Sequence, residues 1–180
     1  MSRQKNPEVE ISPTPMEPTG ILSERAREFI SLRNPLQRGS NCKVAIVNSE
    51  DVPMIWENVI PLMEPSQNEQ RELSIDDFFD RLMEGEMQLW VAIEDKEIIA
   101  CMISQFATFP QKRVLRIIYI SGEGMDRWIE NFPMVENFAL MNGCTFLEVW
   151  GRKAWVKILK EWDWECKYHI ITKDLTARMH

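Results

Sequence analysis

This chain has few residues of the kinds that do chemistry on their own. Its 180 residues include two histidines, two tyrosines and four cysteines. His169 and His180 stand apart from other ligand types, and no C-x-x-C pair joins Cys42, Cys101, Cys144 and Cys166, so no metal site is expected. Cys101 and Cys144 fall in or beside apolar runs and read as buried thiols of a reducing compartment. No apolar run approaches the ~20 residues of a membrane span. The first 20 residues lack the apolar stretch of a secretion signal, so neither a span nor such a signal is expected. Positive charge is scarce too, with 21 Lys and Arg against 28 Asp and Glu. Residues 1–42 hold six basic and five acidic groups, a balance of +1, which leaves 15 basic and 23 acidic groups, or −8, for residues 43–180. A domain this acidic is poorly suited to gripping nucleic-acid phosphates or an anionic membrane.

What is present is material for a core: 44% hydrophobic residues and seven Trp. Residues 1–42 read as an extended, Pro-rich arm (Pro7, Pro13, Pro15, Pro18) that cannot bury enough surface to offset its ordering entropy. Ser23 caps a short helix within 21–33, which Asn34-Pro35 ends. The domain occupies 43–180. KVAIV (43–47) is a strand, and Asn48–Asp51 supplies caps for a helix over Val52–Met63 that Pro61 shortens or kinks. Pro65–Glu72 is loop, and Ser74 opens a second helix ending at Gly85. MQLWVAIED (87–95) and EIIACMISQF (97–106) form a hairpin across Asp95-Lys96. A strand over 113–120, a helix from Gly124 to Asn142-Gly143 that restarts at Pro133, a strand over 145–150, a helix over Lys153–Trp162 and a last strand over Lys167–Thr172 complete the order. Strand–helix–strand connections imply parallel or crossover neighbours in one mixed α/β (α+β) sheet flanked by helices.

The chain is organised around RVLRIIYISGEGMDRWIENF (113–132), where an apolar strand runs into Ser121-Gly122-Glu123-Gly124 and a helix begins. Unpaired N–H groups and the helix dipole make such a turn an anion site. The blander reading is a tight glycine turn with Asp126 capping the helix. Trp150, Trp155, Trp162 and Trp164 cluster densely enough to leave an apolar patch at a protein interface.

Three blocks in this order, MQLWVAIEDKEIIACMISQF, FPQKRVLRIIYISGEGMDRWI and NGCTFLEVWGRKAWVKILKEWDWE, resemble the GNAT (Gcn5-related N-acetyltransferase) family over roughly Lys43–Leu175. In finer detail they look like GNAT-like proteins encoded among the virion genes of tailed bacteriophages. The resemblance implies a fourth and fifth strand that splay apart around acetyl-CoA. Tyr119, Ile120 and Ser121 would be the pantetheine edge, Gly122, Glu123, Gly124 and Met125 the pyrophosphate turn, and Val149, Trp150 and Gly151 the opposite side. The family's turn reads Gln/Arg-x-x-Gly-x-Gly/Ala with basic residues nearby. Here no base falls between Arg116 and Arg127, and Glu123 and Asp126 bring carboxylates to the turn. The family often takes its acid from a Tyr on the helix after the fifth strand, and 153–162 has none. Tyr119 could face the gap or the core, Glu148 could be a base or a solvated strand residue, and Tyr168 and His169 alternate on the last strand. No catalytic constellation emerges.

The expectation is therefore a GNAT-like sheet with a degenerate acetyl-CoA site and no bound cofactor. Its role would be that of a non-catalytic structural or interaction protein of a phage virion, present in the host cytoplasm during assembly. The 1–42 arm would lie on other virion or neighbouring chains, with no direct nucleic-acid or membrane contact, and homo-oligomerisation stays open. The alternative is an active N-acetyltransferase using acetyl-CoA.

Overall fold

A computed structural model describes residues 42–67, 72–151 and 153–168. Most of the 1–42 arm with its helix, positions 169–172 of the last strand, Arg152, His169 and His180 lie outside the described residues.

The domain opens with β1 (Lys43–Val47). The Asn48 carbonyl then receives the N–H groups of Asp51 and Val52, so backbone rather than side chain starts α1 (Val52–Gln67). That helix runs past both Pro61 and Pro65 and is longer than its sequence suggests. Proline removes an i→i−4 bond and crowds the preceding turn. Two hydroxyls from the sheet support that last stretch. Tyr119 donates to the Met63 carbonyl at 2.7 Å, and Ser121 donates to the Leu62 carbonyl. Ser74 and Asp77 form a reciprocal capping box at the start of α2 (Ile75–Met83).

β2 (Met87–Glu94), β3 (Glu97–Phe109) and β4 (Lys112–Gly122) form an antiparallel meander. The first turn of the meander puts Asp95 and Lys96 both at positive φ, as a two-residue hairpin requires. A four-residue α3 (Met125–Trp128), a 3-10 turn over Ile129–Asn131 and α4 (Phe132–Met141, with Pro133 in its first turn) lead to β5 (Phe146–Val149). α5 (Lys153–Leu159) continues into a 3-10 turn over Lys160–Trp162. Lys167 and Tyr168, assigned to a last strand by sequence pattern, are not in a strand.

The sheet order is β1-β2-β3-β4-β5, antiparallel except for the parallel β4–β5 pair. β1 and β2 are antiparallel neighbours despite the two helices between them. One face, with Trp90, Met102, Leu115 and Ile117, packs on Trp128, Phe132, Val135 and Leu159 from α3 to α5. The other, with Leu89, Val91, Ile103 and Tyr119, packs on Val52, Val59, Met63, Phe78 and Leu82 from α1 and α2.

Ile117 and Tyr119 sit on opposite faces although they are two residues apart. The reason is a bulge. Ile103 faces Tyr119 and Ser104 faces Ile117, so Ile118 is an extra residue that reverses the alternation of β4. The bulge decides where every side chain after it points.

Candidate functional site

β4 and β5 pair for four residues, ending at Ile117 and Val149, with the Trp150 N–H on the Ile117 carbonyl at 2.8 Å. Beyond that point β4 runs on through Ile118–Gly122 beside β3, while β5 has ended. The two strands therefore part where the resemblance puts its opening.

The bulge turns Tyr119 away from the Ile117 face. Its ring is fully buried against Phe78, with centroids 5.3 Å apart, and its hydroxyl is engaged by Met63. Ile120 packs beside Trp128 in a narrow apolar crevice of about 20 Å³, and the Ser121 hydroxyl is held by α1. The three residues assigned to a pantetheine edge thus point their side chains into the protein.

The turn is built by β3. A Cβ on Gly122 (φ 124°) would lie 2.4 Å from the Ala100 Cα and the Ile99 carbonyl oxygen. The Glu123 N–H donates to that same Ile99 carbonyl at 2.8 Å. Gly122 is glycine because backbone crosses it. Gly124 takes a left-handed conformation (φ 64°) and is the cap position of α3, so no side chain caps that helix, and Asp126 merely sits in its first turn. A Cβ on Gly124 would meet the Arg127 guanidinium. Arg127 is folded back over the turn and held by Glu94, Nε to Oε1 at 2.9 Å. Trp128 closes the underside through its indole N–H on the Glu123 carbonyl at 3.0 Å. A helix of one turn sums few peptide dipoles, so its field is weak. Among these side chains there are three carboxylates, of Glu94, Glu123 and Asp126, and one cation, Arg127, which pairs with Glu94.

On the β5 side, the Trp150 ring lies 4.2 Å from the Arg116 guanidinium, and Trp155 covers Gly151, where a Cβ would come within 2.7 Å of it. Glu148 is the strand residue that could have been a base. Arg116 donates to it at 3.0 and 2.9 Å and Lys112 at 3.3 Å. Burial pushes its pKa up, but those hydrogen bonds and charges outweigh burial and hold it below the ordinary glutamate value. It is a fixed anion tying β5 to β4. The pairing contributes stability above the unfolded-state pKa of about 4.3, and the contribution is lost as pH falls through the lowered folded-state value. Acid titration of wild type and Glu148→Gln should therefore show a stability gap that is constant near neutrality and closes below about pH 4. A gap independent of pH would contradict the ion-paired assignment.

Three of the four thiols are buried. Burial raises Cys42 and Cys144 and pushes Cys101 to about 12. Among the described residues no group of three or more His, Cys, Asp or Glu side chains is placed to hold a metal ion. Tyr168 is 84% exposed, and α5 has no tyrosine. The sequence pattern missed Arg127 and Glu94. Their only signal was the three-residue spacing of Arg127 from Gly124, since Glu94 arrives from the neighbouring hairpin.

No protein-family model matches the chain, and no curated protein matches its sequence. Solved structures do. An aminoglycoside acetyltransferase from an uncultured soil metagenomic sample, in complex with trehalose, is 16% identical with a TM-score of 0.56, covering 74% of this chain and 96% of its own. A predicted acetyltransferase with acetyl-CoA from Clostridium acetobutylicum is 16% identical at a TM-score of 0.55, covering 77% and 99%. The aminoglycoside N-acetyltransferase AAC(6')-Iy in complex with CoA is 13% identical at 0.57, covering 77% and 97%. The chain has the GNAT fold.

Proposed function

We propose that this GNAT-fold domain is a non-catalytic interaction protein with a degenerate acetyl-CoA site, associated with the virion of a tailed bacteriophage. The observation that carries the degenerate site is the Gly122–Met125 turn. A diphosphate needs free N–H donors and net positive potential. Here the Glu123 N–H is spent on Ile99, Arg127 lies across Gly124 in the grip of Glu94, and Glu123 and Asp126 add two exposed carboxylates. The charge balance of the turn, three carboxylates to one arginine, opposes a pyrophosphate.

Titration calorimetry with acetyl-CoA tests it. No heat is expected at millimolar cofactor, and micromolar binding that Gly124→Glu abolishes would overturn the reading. The phage setting rests on the three sequence blocks, with the 1–42 arm as the segment that engages neighbouring virion chains after assembly in the host cytoplasm. Mass spectrometry of purified particles should find the protein, and particles without it would refute that part.

The second reading is an active N-acetyltransferase using acetyl-CoA. It is favoured by the parting of β4 from β5 and by the CoA and acetyl-CoA complexes of the similar structures. Any acetylated amine formed in its presence would establish it.

A further inference from the structure

On the side of the sheet that carries α1 and α2, a strip of exposed rings and cations lies at sheet level. Before the bulge, Lys112 and Arg116 point opposite to Leu115 and Ile117, and so away from the α3–α5 face. Phe109 on β3 is paired with Lys112, and Phe146 and Glu148 on β5 are paired with Val114 and Arg116, so these side chains share one face. Phe146 is 48% exposed, Trp150 47% and Phe109 42%, and none of the three belongs to the cluster beneath α1 and α2. Cations lie on the rings. Lys112 is 5.1 Å from Phe146 and 5.4 Å from Phe109, Lys167 is 5.6 Å from Phe146, and Arg116 stacks on Trp150. Against these three cations stand Glu148 and Glu165, which leaves +1 here on a domain whose balance is −8.

The complement of this strip lies on α2. Phe78 and Leu82 face the core, which turns Asp76, Asp80, Met83 and Glu84 outward at helical spacing, all of them exposed. Most of that row works against the isolated helix. Asp76 suits the first turn, but Asp80 repels the acids four residues to either side, and Glu84 sits at the negative end of the helix. Arg81, the cation of this helix, is engaged by Glu86, and none of the three acids in the row forms an ion pair among the described residues. The two rows also match in length. Asp76 to Glu84 rises about 12 Å along a helix, and Lys112 to Arg116 spans about 13 Å along a strand. Met83 falls between Asp80 and Glu84, where a flexible thioether can settle between exposed rings. The row points away from the sheet, so it cannot meet the strip of its own chain.

We propose that two copies of this chain dock about a two-fold axis, the acidic α2 row of each lying on the aromatic, cationic strip of the other. The helices stand about one helix diameter, roughly 10–12 Å, above the sheet, and the strip lies beside them on the same side. Two such steps turned face to face interlock, and a pair of patches that meets its own copy closes at a dimer. The rings and Met83 supply apolar contact, and the charges set the orientation. This rests on the reading of the protein as an interaction component and names its partner and its surface.

Sedimentation of the full chain should show dimers that loosen as salt rises. Asp80→Lys with Glu84→Lys reverses the row, and Lys112→Glu with Lys167→Glu reverses the strip. Each variant alone should dimerise about tenfold more weakly. An equimolar mixture of the two should recover most of that loss, because the mixed pair sets unlike charges against each other at both contacts. A merely destabilised chain would not be rescued in this way. If the strip variant unfolds through loss of the Lys112–Glu148 contact, Lys167→Glu alone takes its place in the mixture. Monomers of the wild type at every concentration would overturn the proposal. So would dimers indifferent to the row variant, a mixture no tighter than its parts, or assemblies that grow past the dimer. None of these outcomes bears on the calorimetric result with acetyl-CoA, so the two readings fall separately.

Discussion

Gly122→Ala should cost about 3 kcal/mol or more, from a steric overlap and an unfavourable φ together. For a chain of this size that corresponds to a fall in Tm of roughly 6–12 °C. The cause is a Cβ 2.4 Å from the Ala100 Cα and the Ile99 oxygen, both backbone-fixed positions on β3. Gly85→Ala is the control. Gly85 also has positive φ, 73°, but nothing lies within 4 Å of a Cβ there, so only the conformational cost of about 1–2 kcal/mol applies. The comparison separates two reasons for a glycine in this turn. A glycine kept to let a cofactor approach would tolerate alanine in the free protein and lose only binding. A glycine kept because β3 crosses it loses the fold itself. Thermal melts that place Gly122→Ala level with Gly85→Ala would remove the second reason.

Tyr119→Phe should destabilise by about 1–3 kcal/mol while leaving every other property of the turn intact. The ring stays buried, but the Met63 carbonyl loses its donor in a helix that Pro65 has already weakened. A catalytic acid would behave in the opposite way, since active-site groups are commonly removed with little loss of stability. Denaturant midpoints at constant slope measure the difference. A Phe variant as stable as the wild type would put the Tyr119 hydroxyl back among the candidates for chemistry.

Most of the sheet is legible in the sequence because its signals are short-range. The Asp95-Lys96 hairpin, the Ser74 cap, the Pro133 restart and the Asn142-Gly143 stop each depend on residues within one turn of each other. What is not legible depends on residues far apart. The bulge at Ile118 exists only in the register of β3 against β4, and a strict alternation leaves the direction of Tyr119 open. The survival of α1 past Pro61 and Pro65 involves hydroxyls more than fifty residues away. The turn carries its carboxylates visibly in Glu123 and Asp126, but Arg127 folded under Glu94, and the Glu123 amide bound to Ile99, belong to tertiary contacts. Glu148 shows the same limit. Its neighbour on β4 is 32 residues away, and without that neighbour a strand carboxylate looks like any other.

The sheet lists its strands in the order in which the chain is made. A ribosome adds roughly 5–20 residues per second, so β2, β3 and β4 emerge as a meander in which each strand finds its partner already outside the tunnel. β5 is different. It must wait for α3 and α4 to carry it back to the same end of the sheet, and it then docks through only four residues. A nascent chain that has cleared the tunnel only up to Thr145 would already hold the meander and both helices of its α1–α2 face, with the α3–α5 face still unfinished. During synthesis the vulnerable moment is thus late and confined to one side, where chaperones would find exposed leucine and tryptophan.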